Sequence, residues 1–373
     1  MDPRDLAASA GPAAADRRAS RHQAVSGMDH ANVTVGIPTY NRPQWLREAI
    51  ESVLAQSYTR FRIIVSDNAS TDETPDVVRS FGDRRITYVR SERNVGPVAN
   101  MNRLIGLADT KYFVILPDDD FFYGGYLEAA VGLFERFEGL GVVHSAFNHV
   151  DARRRVIRRV DPVRCRSRMM IERSEQLLER LMVSGWWLCF ASIMYRTEAL
   201  IATGGLDQDL GHFCDRHMWM QLALQWDFGY LAEPLVGQRD HARTLSWKIA
   251  TENGLEPNTP EASRLYADLG FQRRADFIDN AGLAPERAQR LRALATLQSI
   301  VDLAHEQLRS REVASRLAGL VRAYPRILLR PALWRLVAAQ SGARRGRALL
   351  TRVLARTRPL RQDSLGSVGG GHS

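Results

Sequence analysis

The chain has 373 residues, long enough for two domains, and its apolar (45%) and charged (25%) fractions exclude a disordered or fibrous protein. No run approaches the roughly 20 apolar residues needed to span a bilayer. The net charge of +9 is concentrated: Pro285 to Arg361 holds 17 Arg against Glu286, Asp302, Glu306 and Glu312, so the rest of the chain is net acidic. Residues 1–30, rich in Ala, Gly, Pro, Ser and Arg, predict a disordered tail without the apolar segment of a secretory signal. Cys165, Cys189 and Cys214 have neither CxxC nor zinc-ligand spacing, which points to a reducing compartment and no disulfide framework.

The first periodic segment, VTVGIPT from Val33, alternates as a strand and is broken by Pro38 and Asn41-Arg42-Pro43. Leu46, Ala49, Ile50, Val53 and Leu54 then form one helical stripe, with Pro43 at its start and Asn41 or Arg42 near the cap. FRIIVSD is a second strand ending in Asp67, TDETPDVVRSF a short helix, ITYVRSE a third strand and VGPVANMNRLIGLADT a helix. KYFVILPDDD is an apolar strand ending in acids, as suits a strand buried on both faces. The βαβαβαβ order predicts an open α/β sheet with its ligand crevice at the strand C-termini. Further on, GVVHSAFNHV, CFASIMYR and FGYLAEPLVGQRDH read as strands, DARRRVIRRVD as a hairpin or loop, and SEQLLERLMVSG and DRHMWMQLALQW as helices. From about Pro260 to Arg356 the pattern is helical, and the final DSLGSVGGGHS reads as a flexible tail.

Three adjacent carboxylates, Asp118-Asp119-Asp120, repel one another unless something positive neutralises them. A divalent cation, Mg²⁺ or Mn²⁺, would do so and hold a diphosphate at the same time. A solvated acidic turn is the plainer alternative. Asp67 can accept the imide N–H of uracil or thymine, or cap the TDETP helix.

The blocks IPTYNRPQWLREAIESVLAQSY, IIVSDNASTD, NVGPVANMNRLIGLA and YFVILPDDD, in that order and spacing, resemble the family-2 glycosyltransferases of GT-A fold. The resemblance runs weakly on through SIMYRTEALIATGGLD, CDRHMWMQLAL and RDHARTLS, from about Val33 to Trp247. It implies a Rossmann-related nucleotide-binding sheet with helices on both faces, a nucleotide-sugar donor, and a glycan or lipid-linked acceptor. Thr39, Tyr40 and Asn41 match the loop that contacts the nucleoside, and Asp67 the base-reading aspartate. Asn94, Gly96 and Asn102 match the block near ribose and phosphate. Asp118 matches the ribose-side acid and Asp119 the metal ligand, with Asp120 beside it. Pro117 stands where many members have Asp, which leaves the ligand assignment open among the three acids. Inverting transfer needs a carboxylate to deprotonate the acceptor hydroxyl. The family places it at the position of Asp215, where Cys214 replaces the usual preceding acid; a helix N-cap is the alternative role. His241 matches a metal-completing position and Arg243 a phosphate-neutralising one.

Trp186 and Trp187 could stack on an acceptor sugar or pack in a core. The stretch from Arg326 to Arg361 has ten Arg and no acid. It reads as a peripheral contact with anionic membrane or as a helical cap on the catalytic part, without a nucleic-acid-binding motif. The expected organisation is a tail (1–30), a GT-A domain (31–255), a mainly α-helical basic region (256–361) and a flexible tail (362–373), in the cytoplasm. The rival functions are a non-catalytic sugar-nucleotide-binding or membrane-docking protein on the same fold and a nucleotidyltransferase. The latter is disfavoured by the loop PTYNRP, which lacks a Gly-rich phosphate cradle.

Overall fold

The computed structural model describes residues 31–163, 165, 167–183, 188–240, 260–305 and 310–323. They fall into two compact units that interleave along the chain. The first comprises residues up to Ile171, Leu188–Leu206 and Trp226–Asp240; the second comprises Glu172–Trp187, Asp207–Gln225 and the residues from His241 on.

The first unit is built on a ten-stranded sheet. Its strands are β1 (Val33–Thr39), β2 (Phe61–Asp67), β3 (Ile86–Arg90), β4 (Tyr112–Ile115), β5 (Phe121–Phe122), β6 (Leu140–Val150), β7 (Val156–Val160), β8 (Met169–Glu172), β9 (Ile193–Arg196) and β10 (Asp227–Arg239). The order is β3-β2-β1-β4-β9-β6-β10-β5, with β7 on β6 and β8 on β10. Strands β3, β2, β1 and β4 are parallel, and register pairs Thr39 with Asp67. Strand β9 runs antiparallel to both β4 and β6, so β6 and its parallel partner β10 point the same way as β4. The C-terminal ends of β1, β2, β4 and β6 therefore share one sheet edge. The strand sequences account for this placement: β1, β2 and β4 are apolar runs buried almost throughout, as parallel strands covered on both faces must be.

Helix α1 (Pro43–Leu54) buries Leu46, Ala49, Ile50 and Val53, the expected stripe. Helices α2 (Thr74–Ser80) and α3 (Pro97–Leu107) follow β2 and β3. Gly36 lets α3 approach β1 closely, since a Cβ there would lie 3.2 Å from Leu104. Helix α4 (Tyr126–Arg136) has no counterpart in the sequence reading; it starts from Gly125 at φ 84° without a capping side chain. Helix α6 (Thr197–Ala202) was likewise unforeseen. The segment expected to be one strand from Cys189 begins instead as a 3-10 turn, Phe190–Ser192, because Ser192 closes back on the Cys189 carbonyl through both N–H and Oγ.

The second unit is helical: α5 (Ser174–Val183), α7 (Cys214–Leu222), α8 (Pro260–Asn280), α9 (Pro285–His305) and α10 (Ser310–Ala323). Arg290 pairs with Glu179 at 2.7 Å, tying α9 to α5. Among the described residues no helix is long and apolar enough to cross a membrane, and all three cysteines are free. The N-terminal tail and everything after Ala323, including most of the Arg-rich stretch, lie outside the described residues.

Candidate active site

The crevice edge is organised around the acid run that follows β4. Leu116 still bonds the Gly36 carbonyl, so the chain leaves the sheet only at Pro117. Thr39 Oγ1, at the end of β1, donates to Asp118 Oδ2 at 2.7 Å. Arg42 Nη1 donates to Asp118 Oδ1 at 3.0 Å and to Asp119 Oδ2 at 2.7 Å. One guanidinium nitrogen thus bridges two carboxylates. Asp120 is held differently: its Oδ1 accepts the Arg239 backbone N–H from β10 at 2.9 Å.

The electrostatics follow from crowding. Burial, then the neighbouring Asp119 charge, pushes Asp118 up to about 7 against the pull of Arg42. Burial and Asp119 also push Asp120 well above the usual carboxylate range, opposed by the Arg239 N–H. The Arg239 guanidinium is buried, donates Nη2 to Glu48 at 2.8 Å and lies near the rings of Trp45 and Phe121. Its Nε and Nη1 find no hydrogen-bond partner among the described residues.

Beside the acids, the β1 and β2 loops are cross-bonded. Asn41, at φ 53°, donates its N–H to Ser70 Oγ and accepts the Thr71 N–H at Oδ1, so it locks two loops instead of capping α1. Tyr40 is 43% exposed at the same loop. Asp67 is fully buried: Oδ1 accepts the Ser70 N–H, and Oδ2 accepts the Tyr88 hydroxyl and lies 3.5 Å from Arg90 Nε. Asn68 Nδ2 donates to Asn94 Oδ1 and to the Gly96 carbonyl, which brings those two predicted residues to this edge. Gly96 takes φ 86°, the left-handed conformation that lets α3 start there. Asn102 has a structural contact of its own. Its amide clasps the Leu206 backbone in both directions, at 2.7 and 2.8 Å, so it fastens a turn 104 residues away.

In the second unit, Asp215 sits in the first turn of α7 rather than at its cap, a position held by Phe213 without a capping side chain. Its Oδ1 accepts the Arg216 N–H at 2.5 Å. Burial pushes its carboxyl up to about 6, moderated by the Arg216 charge. Cys214 is buried and its thiol is pushed up to about 12, so it is no acid at neutral pH. Trp186, Trp187, His241 and Arg243 lie outside the described residues.

Among the described residues no three His, Cys, Asp or Glu side chains converge on a metal position. Two carboxylates do converge on one cationic nitrogen. That is the protein share expected at a Mg²⁺-type site, which takes one or two carboxylates and fills the rest with phosphate and water. Arg42, Arg239 and Tyr88 are the residues at this edge that the sequence reading did not single out.

Comparison with known proteins bears on the family and the fold. Residues 34–201 match the family model described as glycosyl transferase family 2. An uncharacterized glycosyltransferase of Rickettsia prowazekii is 29% identical over 211 residues, 56% of this chain; the chain spans 64% of that relative's length. The succinoglycan biosynthesis protein ExoO of Rhizobium meliloti is 35% identical over 89 residues, 24% of this chain and 26% of that one. In fold, the chain resembles S. aureus TarS 1-349, with TM-score 0.54 and 16% identity over 87% of this chain and 89% of that one. The UDP-GlcNAc complex of TarS 1-349 gives TM-score 0.52 at the same identity and coverage. The α/β sheet flanked by helices is that of GT-A glycosyltransferases.

Proposed function

We propose that this chain is a family-2 glycosyltransferase, the family whose model matches residues 34–201, and that it moves a sugar from a UDP- or dTDP-sugar to a hydroxyl of a glycan, glycolipid or glycosylated metabolite, with inversion. The observation that carries the reading is the bridged pair at the crevice edge, where Asp118 and Asp119 meet one cationic nitrogen at 3.0 and 2.7 Å. TarS, which binds UDP-GlcNAc, supports the uridine donor class.

In this reading Asp67 reads the base, the β1 loop with Thr39, Tyr40 and Asn41 flanks the nucleoside, and Asn94 and Gly96 flank ribose and phosphate. Asp118 holds the ribose side. Mg²⁺ or Mn²⁺ would be held by Asp119, with Asp120 beside it and His241 completing the set; when bound it absorbs the charge of the departing diphosphate. Asp215 takes the proton of the acceptor hydroxyl as that oxygen bonds the anomeric carbon. The anomeric C–O bond to diphosphate breaks, and the nucleoside diphosphate leaves with the electron pair. A carboxyl near 6 is ionised at neutral pH yet basic enough for this transfer. Arg243 would neutralise phosphate and Trp186 or Trp187 would stack on the acceptor.

Calorimetric titration of UDP, dTDP, GDP and ADP, each with and without Mn²⁺, tests the donor half. Metal-dependent binding of UDP or dTDP alone is the expected result. Absent or metal-independent binding would mean that the acid run is not a diphosphate site. Tight metal-dependent UDP binding without turnover would favour a non-catalytic binding protein.

A further inference from the structure

The β6–β7 hairpin carries Arg153, Arg154 and Arg155 in its connection and Arg158 and Arg159 on β7, beside one acid, Asp151, and every residue from Ala152 to Arg159 is exposed. In their midst, Val156 (56%) and Ile157 (61%) are the most exposed large apolar side chains among the described residues. The hairpin is firmly built. Asp151 Oδ1 accepts the N–H groups of Arg153 and Arg155, both at 2.9 Å, and Arg155 Nε reaches Asp151 Oδ2 at 2.6 Å.

Its placement is equally defined. Strand β6 runs in the same direction as β4, so the hairpin leaves the sheet at the edge that bears Asp118–Asp120. Arg154 folds back to that edge, with its guanidinium 4.0 Å from the Phe121 ring centre and Nε 3.3 Å from Glu48. Arg159 is spent on the Ala232 carbonyl. Arg153 and Arg158 are exposed and make no ion pair among the described residues; Arg158 stands across the ladder from His149.

A hairpin that presents guanidinium groups without ion-pair partners and an exposed apolar side chain on each face of its strand matches the boundary of an anionic bilayer when it enters end-on. Phosphate headgroups there meet arginine, and the first carbons of the acyl chains meet Val and Ile. A polyanionic glycan would leave the apolar pair in water. Edge pairing with a second copy would set the arginines of two β7 strands against each other. We propose that the β6–β7 hairpin docks this protein on an anionic lipid surface. On the transferase reading, this docking turns the crevice edge toward the bilayer and makes the acceptor lipid-linked.

The test is co-sedimentation of the full chain with vesicles of phosphatidylcholine containing about one-third phosphatidylglycerol, against phosphatidylcholine alone, following the electrostatic and apolar scales expected at such a surface. The variants are Arg153→Gln/Arg158→Gln and Val156→Ser/Ile157→Ser, with far-UV circular dichroism and thermal melts as the folding control. Each arginine near an anionic surface contributes roughly fivefold, so the first pair should lower partitioning about 25-fold. The second should lower it roughly tenfold by withdrawing apolar area. Unchanged partitioning in both overturns the proposal and leaves binding to the basic C-terminal stretch. Loss with the Arg pair alone overturns it in favour of a purely electrostatic contact in which the apolar side chains take no part. A dimer seen by sedimentation velocity that both pairs dissociate, without any vesicle binding, overturns it in favour of self-association. Because vesicle binding needs no nucleotide, a wild-type chain that binds vesicles but not UDP would refute the transferase reading and leave the docking surface standing.

Discussion

Replacing Asp215 by Asn should raise stability and remove activity together. Burial lifts this carboxyl from 3.8 to about 6, so the folded chain holds its proton more tightly than the unfolded chain does. Stability is therefore lost as pH rises from about 4 through about 6, and the full penalty applies above that window. About two units at roughly 1.4 kcal/mol each set a ceiling near 3 kcal/mol, and partial exposure brings the expectation to about 1–2 kcal/mol. Asn carries no charge, so the variant should exceed the wild type by that margin at about pH 8, and the gap should close toward about pH 4. Transfer should fall about 10²- to 10⁴-fold with UDP affinity retained, because only the proton acceptor is gone. Urea unfolding at the two pH values measures the gap and its pH dependence, UDP release measures transfer, and UDP calorimetry measures affinity. A variant no more stable than wild type at the higher pH, or a gap that ignores pH, would refute the buried-charge reasoning. Retained turnover would move the base to another residue.

Three other perturbations are informative. Arg42→Met removes the resident cation from between Asp118 and Asp119, so Mn²⁺ affinity of the nucleotide-free protein should rise about tenfold by calorimetry; weaker binding would show that Arg42 orders the acids instead of competing for them. Asp67→Asn should weaken UDP about tenfold or more and spare GDP. Equal loss for both nucleotides would reduce Asp67 to a lock for Ser70 and Tyr88. Gly237→Ala places a Cβ against the Phe121 ring beside Arg239 and should cost about 1–3 kcal/mol in thermal melts, whereas an unchanged melting temperature would mean that the ring repacks freely.

The nucleotide half was legible because parallel strands announce themselves as apolar runs and their polar ends mark the crevice. Val33–Thr39, Phe61–Asp67 and Tyr112–Ile115 emerged where the runs placed them. Arg42 was not legible as a site residue. Next to Pro43 it reads as a helix start, and its carboxylate partners lie 76 and 77 positions away. In a chain with only Lys111 and Lys248 besides arginine, one more arginine carries no signal. Tyr88 reads as an ordinary strand aromatic until the β2–β3 pairing brings its hydroxyl to Asp67. The bond between the Asn102 amide and the Leu206 backbone was not legible either, because local periodicity does not encode a contact 104 residues away.

The bond between the Arg239 N–H and Asp120 has a consequence for synthesis on the ribosome. Asp120 is made 119 residues before its partner. A nascent chain that has emerged only through residue 201, where the family match ends, has already made all three acids, β6 and β9, yet lacks β10, which lies between β6 and β5. Such a fragment would leave a sheet edge open and Asp120 without its backbone donor. The matched segment by itself is therefore a poor choice for expression, and vectorial folding of this unit can finish only after Arg239 has cleared the exit tunnel.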